Sequence, residues 1–219
     1  MDLPSREDLR AHPPLRFRAG RNSTKADIFL WEREGVRWIL KDYAGKGAWV
    51  RATWGRMMVR RELRAYRLLQ EVDGIPRLIG RIDSLAFALE FIEGHDLSHF
   101  RRGEVPSGFF RELLALVGSI HQAGVAQGDL HHRDVLIGPA NRPYLVDFST
   151  AVFRPVSEGV QARLFRAACA SDRRAVLKLT HRHDPKALSE QEHYELSHPP
   201  SWYRFGKRVR GFLSALRAR

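Results

Sequence analysis

The sequence predicts an α+β chain of two lobes, a small antiparallel β-sheet lobe with one helix followed by a mainly helical lobe. Three observations carry this. Short apolar-alternating runs broken by turns fill residues 15–43. A 3.6-residue period takes over across residues 55–72, and two further strand-like runs follow it. Beyond Asp147 helical patterning dominates, with one hairpin just before it. Strands first and helices later is the order of segregated layers rather than of an alternating parallel sheet.

Taken in order, strands are expected at residues 15–19, 27–32 and 36–43, with Glu34-Gly35 as the turn between the second and third. The polar loop GRNSTKA, residues 20–26, separates the first two. Across residues 55–72, Met58, Glu62, Ala65 and Leu69 share one helical face, and Arg56, Arg60, Arg64 and Arg67 share another. The stretch DGIP at residues 73–76 ends that helix. Strands at 78–82 and 85–92 lead into the loop EGHDL, residues 93–97, which is expected to join the lobes. An apolar helix over 113–121 stops at Gly124. Short strands at 135–137 and 144–146 flank the turn GPANRP, and helices are expected at 159–170, 172–181, 189–196 and 202–217. The chain therefore reads as one unit over 1–219, with an N-lobe to about residue 92 and a C-lobe from about residue 98.

Composition sets bounds on the setting. With 219 residues and 43% hydrophobic content, the chain can bury a substantial core. One cysteine, Cys169, permits no internal disulfide, and residues 1–10 carry no apolar run of the secretory kind, so a cytoplasmic location is expected. No apolar stretch approaches the roughly 18–20 residues that span a bilayer. Lysine and arginine number 37 against 25 acids, a formal charge of +12 that attracts polyanions. Nucleic acid, nucleotide phosphates and anionic membrane surfaces all fit that charge.

The chemistry concentrates in HQAGVAQGDLHHRDVLIG, residues 121–138. Asp129 and Asp134 lie five residues apart on a loop, and Asp147 ends a strand. Converging, the three would bind a hard divalent cation through oxygen and leave one carboxylate to position a hydroxyl. Singly, each is equally a loop aspartate making turn hydrogen bonds. The histidines lack both cysteine partners and H-E-x-x-H spacing, so no zinc site is expected. His121, closing an apolar helix, reads as a C-terminal hydrogen-bonding residue.

The run GDLHHRDVL, followed after a short strand by Asp147-Phe148, resembles the catalytic and metal loops of the protein kinase-like superfamily. That resemblance implies a two-lobed kinase-like fold with a reduced C-lobe, ATP and Mg²⁺ as cofactors, Asp129 as catalytic acid, and Asp147 and Asp134 as metal ligands. It further implies a lysine on the third strand oriented by a helical carboxylate. Lys41 ends the run WILK, and Glu62 occupies the apolar helical face, where a carboxylate calls for a cation. The phosphate-covering loop would be GRNSTKA, with Gly20, Asn22 and Ser23 near the phosphates.

Departures from the superfamily pattern accompany these matches. GxGxxG and APE are missing, no GxxxxGK[ST] is present, and Gly45-Lys46-Gly47 reads as a flexible loop. Gln127 replaces the His of HGD, Ser149 the Gly of DFG, and Asp134 the usual Asn. The segment after Asp147 is expected to run directly into helix.

Within the superfamily, REL.AYRLL, GIPRLIG, QGDLH, YLVDFSTA and SDRRAVLKL look like the bacterial lipopolysaccharide core kinases of the Kdo/WaaP-like group, and the short C-lobe is shared with RIO and Bud32-type atypical kinases. The first implies phosphorylation of a sugar hydroxyl on an anionic, lipid-linked saccharide at the inner membrane face. The second implies an atypical serine/threonine protein kinase. The accumulated departures are also those of a pseudokinase or nucleotide-binding scaffold. The basic, periodic segment 202–217 suits an anionic membrane surface, and it equally suits docking on the domain with its arginines in water.

Overall fold

The structure, a computed structural model, describes residues 3–18 and 25–198. The expected segment 202–217, and Gly20, Asn22 and Ser23, lie outside the described residues.

Five antiparallel strands form the N-lobe sheet: β1 (Leu15–Arg18), β2 (Asp27–Arg33), β3 (Val36–Asp42), β4 (Leu78–Arg81) and β5 (Ala86–Glu90), in the order β1-β2-β3-β5-β4. Glu34 and Gly35 turn β2 into β3 with φ of 53° and 76°, the left-handed pair that a two-residue hairpin matching strand twist requires. Alternation sends Trp31, Trp38, Leu40 and Ala88 to one face of the sheet. A helix that the sequence reading did not foresee, α1 (Arg6–Ala11), covers that face with Leu9, helped by Leu3. Ser5 and Asp8 close a capping box at its start. Arg6 then bridges Asp42 and Asp83, with 2.6 Å from its Nε to Asp83.

The opposite sheet face receives the helical connection. A short α2 (Ala48–Val50) runs through a π-helical turn at Arg51–Gly55 into α3 (Arg56–Leu68). The helix is thus longer at its start and ends four residues earlier than the periodicity predicts, because the chain turns at Leu69 before DGIP. Met58, Val59, Leu63, Ala65 and Tyr66 of α3 are buried together with Glu62.

From β5 the chain crosses to β6 (His95–Asp96), and the segment read as a joining loop pairs with the C-lobe hairpin. That hairpin is β8 (Val135–Ile137) and β9 (Pro143–Leu145), giving a sheet in the order β6-β8-β9. The helix α4 (Phe109–Gln122) starts a turn earlier than predicted, because Phe109 and Phe110 are core residues. It leads to β7 (Val125–Ala126), which pairs with β10 (Val152–Phe153). The chain after Asp147 therefore makes a strand before it turns helical, correcting the expected direct run into helix. The two helices expected at 159–170 and 172–181 are one, α5 (Val160–His183). A final helix, α6 (Glu190–Ser197), begins at the capping box of Ser189 and Glu192.

Glu192 ties α6 to α4. Its carboxylate accepts from the Ser189 amide and hydroxyl and from the forked guanidinium of Arg111, the shortest contact to Arg111 being 2.8 Å. Burial alone would raise this carboxyl, but Arg111 and Ser189 outweigh it and hold it at about 2. With the folded value below the ordinary one, the stabilisation is complete above pH of about 4.5 and is lost as pH falls toward about 2. Glu192→Gln is expected to cost about 1–2 kcal/mol at pH 7. Urea unfolding of the two proteins at pH 7 and again at pH 2.5 checks this: the gap should narrow at the lower pH.

Candidate active site

Strand register and helix phase bring the first three functional side chains together. Lys41 pairs with Ile28 and Phe87 across β3's neighbours, and its side chain points to the α3 side of the sheet. Glu62 on α3 is 0% exposed, a position a carboxylate occupies only against a cation. The Lys41 ammonium donates to Glu62 and, at 3.0 Å, to Asp147. Burial disfavours the charge on Lys41, but Asp147 and Glu62 more than compensate, so Lys41 is held well above its ordinary value. Burial pushes Glu62 the other way, up to about 7 against the pull of Lys41, with Asp147 adding to the rise. Two carboxylates around one ammonium fix that ammonium as the permanent cation of the cluster.

Asp147 follows β9 with φ 67°, a left-handed conformation unusual for a residue with a side chain. Burial would raise its carboxyl, and the positive charges of Lys41 and Lys25 reverse this, leaving it well below the carboxylate range. Ser149 accepts from Lys25 at 3.1 Å through its hydroxyl and donates its backbone N–H to Asp147 at 3.2 Å. The residue in place of a glycine thus braces Asp147 and engages a lysine from the GRNSTKA loop. Lys25 was not among the expected site residues.

The loop carrying Asp129 is fastened from behind. Asp172 on α5 is 0% exposed and accepts from the backbone N–H groups of Gln127 at 2.7 Å and Gly128 at 2.8 Å, and its carboxylate lies 3.1 Å from His121 Nε2. His121 is therefore the helix-end hydrogen-bonding residue expected. Gln127 is buried, and its amide donates to the carbonyls of Val146 at 2.9 Å and Asp147 at 3.0 Å. Gly128, at φ 85°, passes so near the Thr150 carbonyl that a Cβ would approach it to 2.8 Å. Behind these, Tyr66 packs edge-on against Phe148 at 5.2 Å, joining α3 to the segment after Asp147.

Asp129 itself is exposed, with its carboxylate 3.4 Å from His131 Nε2. Asp134 accepts from the His131 N–H at 3.0 Å, and burial followed by the charge of Asp147 pushes it up to about 7. The three-acid cluster contemplated from sequence is not formed: among the described residues no group of three acids, histidines or cysteines is placed to hold a metal. Asp134 and Asp147 are the pair that feel each other's charge, while Asp129 stands on the outer side of its loop. Two carboxylates suit Mg²⁺, which takes its remaining ligands from water and phosphate. A cleft of about 370 Å³ between the lobes is lined above by Ile28, Ile39 and Lys41, and below by Leu136, Asp134 and Asp147. Its apolar walls and charged end fit a flat heterocycle carrying an anionic tail.

Two curated proteins are similar to part of the chain. Both are described as probable bifunctional tRNA threonylcarbamoyladenosine biosynthesis proteins, one from Methanosarcina mazei (27% identical over 136 residues) and one from Methanosarcina acetivorans (30% over 149). The matches take in 60% and 66% of this chain but only 24% and 26% of those proteins, so the chain spans about a quarter of their length. No family model matches. Among solved structures, the Rio2 kinase from Chaetomium thermophilum superposes with a TM-score of 0.63 over 93% of this chain and 66% of its own, at 15% identity. Its complex with ADP, Mg²⁺ and phosphoaspartate gives 0.62 over 92% and 64%. The chain has a protein kinase-like fold. In that kinase-like fold the sheet lobe, the cleft and the reduced helical lobe stand as the sequence order predicts. Lys41, Asp134 and Asp147 line the cleft, and Glu62 lies behind Lys41.

Proposed function

We propose that the chain is an ATP- and Mg²⁺-dependent phosphotransferase of the RIO/Bud32 atypical kinase type, moving a γ-phosphoryl group to an alcohol, most simply a serine or threonine hydroxyl. The observation that carries this reading is the buried Lys41–Glu62 pair meeting Asp147 at the charged end of the cleft. Likeness to Rio2 kinase and to the tRNA-modification proteins favours this acceptor over the sugar hydroxyl of a lipopolysaccharide core that the sequence motifs first suggest. Such an enzyme would act in the cytoplasm, where ATP is supplied.

In this reading Lys41, steadied by Glu62, binds the α and β phosphates, and Lys25 neutralises charge nearer the transferring group. Asp147 and Asp134 would hold Mg²⁺, whose charge would help neutralise the phosphates. Asp129 orients the acceptor hydroxyl and takes its proton as the oxygen attacks the γ-phosphorus, the bond from that phosphorus to the bridging oxygen breaks and ADP leaves. The test is transfer of label from γ-labelled ATP. Counts entering the chain itself or an added protein acceptor support the reading, whereas counts entering only a lipid-linked saccharide return the acceptor to the sugar class. Failure of Mg·ATP to raise the melting temperature overturns it.

Asp134 gives a pH signature. Its carboxyl is pushed up to about 7, so below that value it is protonated and unavailable to a cation. Mg²⁺ affinity is expected to rise as pH climbs through about 7 and to level off above it. Asp134→Asn should remain active, need several-fold more Mg²⁺ at pH 8, and lose the pH dependence, as titration of activity against Mg²⁺ at pH 6, 7 and 8 would reveal.

A further inference from the structure

A second surface lies on the N-lobe, away from the cleft residues. Trp49 is 71% exposed, Trp54 37% and Met57 46%, all on the connection from β3 into α3. In an unbroken α-helix, residues 49 and 54 would point about 140° apart. Across the π-helical turn at Arg51–Gly55, residues 51–54 are all exposed between buried Val50 and Gly55, and Met57 is exposed at the start of α3. Thr53 donates its hydroxyl to the Trp49 carbonyl at 2.8 Å, within this widened turn. Gly55 seats it against the sheet, since a Cβ there would come within 3.0 Å of Tyr43 Cβ.

Exposed arginines flank this apolar row: Arg51, Arg56 and Arg60, with Arg64 continuing toward Phe153. The segment 44–67 contains one acid, Glu62, and that side chain is turned inward to Lys41. The outward charge is therefore of one sign, on a chain with formal charge +12. A largely exposed Trp49, a half-exposed Met57 and a partly exposed Trp54, on a segment whose exposed arginines have stems that can lie flat while their heads stay hydrated, match the interface of an anionic bilayer. Single-stranded nucleic acid would use the indoles for stacking but would gain little from Met57, or from Leu68 further along the same face. Among the described residues no helix is long and apolar enough to cross a membrane, so contact would be peripheral.

We infer that the exposed face of the Ala48–Leu68 helical connection docks on an anionic lipid surface, with Trp49, Trp54 and Met57 entering the headgroup layer and Arg51, Arg56 and Arg60 pairing with lipid phosphates. The inference stands apart from the kinase reading.

The test is co-sedimentation of the full chain with vesicles of phosphatidylcholine alone or mixed with phosphatidylglycerol, in about 0.1 M salt. Binding should require phosphatidylglycerol. It should fall about tenfold in Trp49→Ala/Trp54→Ala, equivalent to about 1.4 kcal/mol, and about 30-fold in Arg56→Ser/Arg60→Ser, as expected for loss of about 1 kcal/mol at each of two basic residues at the surface. Trp49→Ala alone, at the most exposed of these positions, keeps the experiment decisive should the double variant fold poorly, and should by itself lose binding several-fold. No pelleting of the native chain overturns the inference, and so does equal pelleting of native and Trp49→Ala proteins. Tighter binding to a single-stranded RNA oligonucleotide, lost with the same substitutions, would reassign the face to nucleic acid.

Discussion

Asp129→Asn is expected to lower phosphoryl transfer by about 10²–10⁴-fold while leaving Mg·ATP binding close to that of the native protein. The split follows from where the side chain stands. Asp129 faces outward with its carboxylate near His131, and the hydrogen bonds that hold its loop use the backbone of Gln127 and Gly128 instead. An isosteric amide leaves those bonds, the cleft walls and the Asp134–Asp147 pair in place, and removes the negative charge facing His131 together with the ability to accept a proton from a hydroxyl. Single-turnover transfer, read beside the Mg·ATP-induced melting shift, separates the two effects. A variant that turns over as fast as the native chain takes Asp129 out of the role. By contrast, Lys41→Ala would weaken nucleotide binding and leave the buried Glu62 without its cation, so that its carboxyl takes up a proton.

Glu62 was legible from its place on an apolar helical face, which is costly for a carboxylate, whereas Lys41 and Asp147 were reached through the resemblance of the loop motifs to the kinase-like superfamily. In the structure the Lys41 ammonium is the shared partner of the Glu62 and Asp147 carboxylates, which repel each other. Lys25 escaped notice because nothing in a polar loop distinguishes a lysine that reaches a carboxylate from one in water; only its 3.1 Å contact with Ser149 does so. The helix α1 was missed because six residues have little helical stability of their own. It stands through Arg6 bridging Asp42 and Asp83 from distant parts of the sequence.

The break expected at residue 171 is more instructive. Ser171-Asp172 reads as a helix start, since either side chain can cap the N–H groups that follow. The helix runs straight through, because the Asp172 carboxylate is spent on another segment's N–H groups, those of Gln127 and Gly128. Neighbouring arginines at 173 and 174 make the position look solvated in sequence, though it is fully buried. Its spacing from Ala162, Phe165, Val176 and Leu179, which share the inward side of α5, is that of a buried position.

Asp172→Ala is accordingly expected to be the most destabilising of these substitutions, by about 3–5 kcal/mol. It deletes one acceptor group and leaves the buried N–H of Gln127, the part-buried N–H of Gly128 and His121 without their partner. Asp172→Asn separates charge from shape. It keeps one carbonyl oxygen but turns an NH₂ toward a backbone N–H, so one donor remains unsatisfied and two donors oppose each other, at a cost of about 1–3 kcal/mol. Both variants should raise amide exchange at Gln127 and Gly128 well above the change elsewhere in α5, and both should reduce transfer, because the Asp129 loop loses the anchor behind it. Urea unfolding gives the stability order native, Asn, Ala. An Asn variant within about 0.5 kcal/mol of native stability, with unchanged exchange at Gln127 and Gly128, would mean that the loop holds its shape through Gln127's side chain and Thr150 alone.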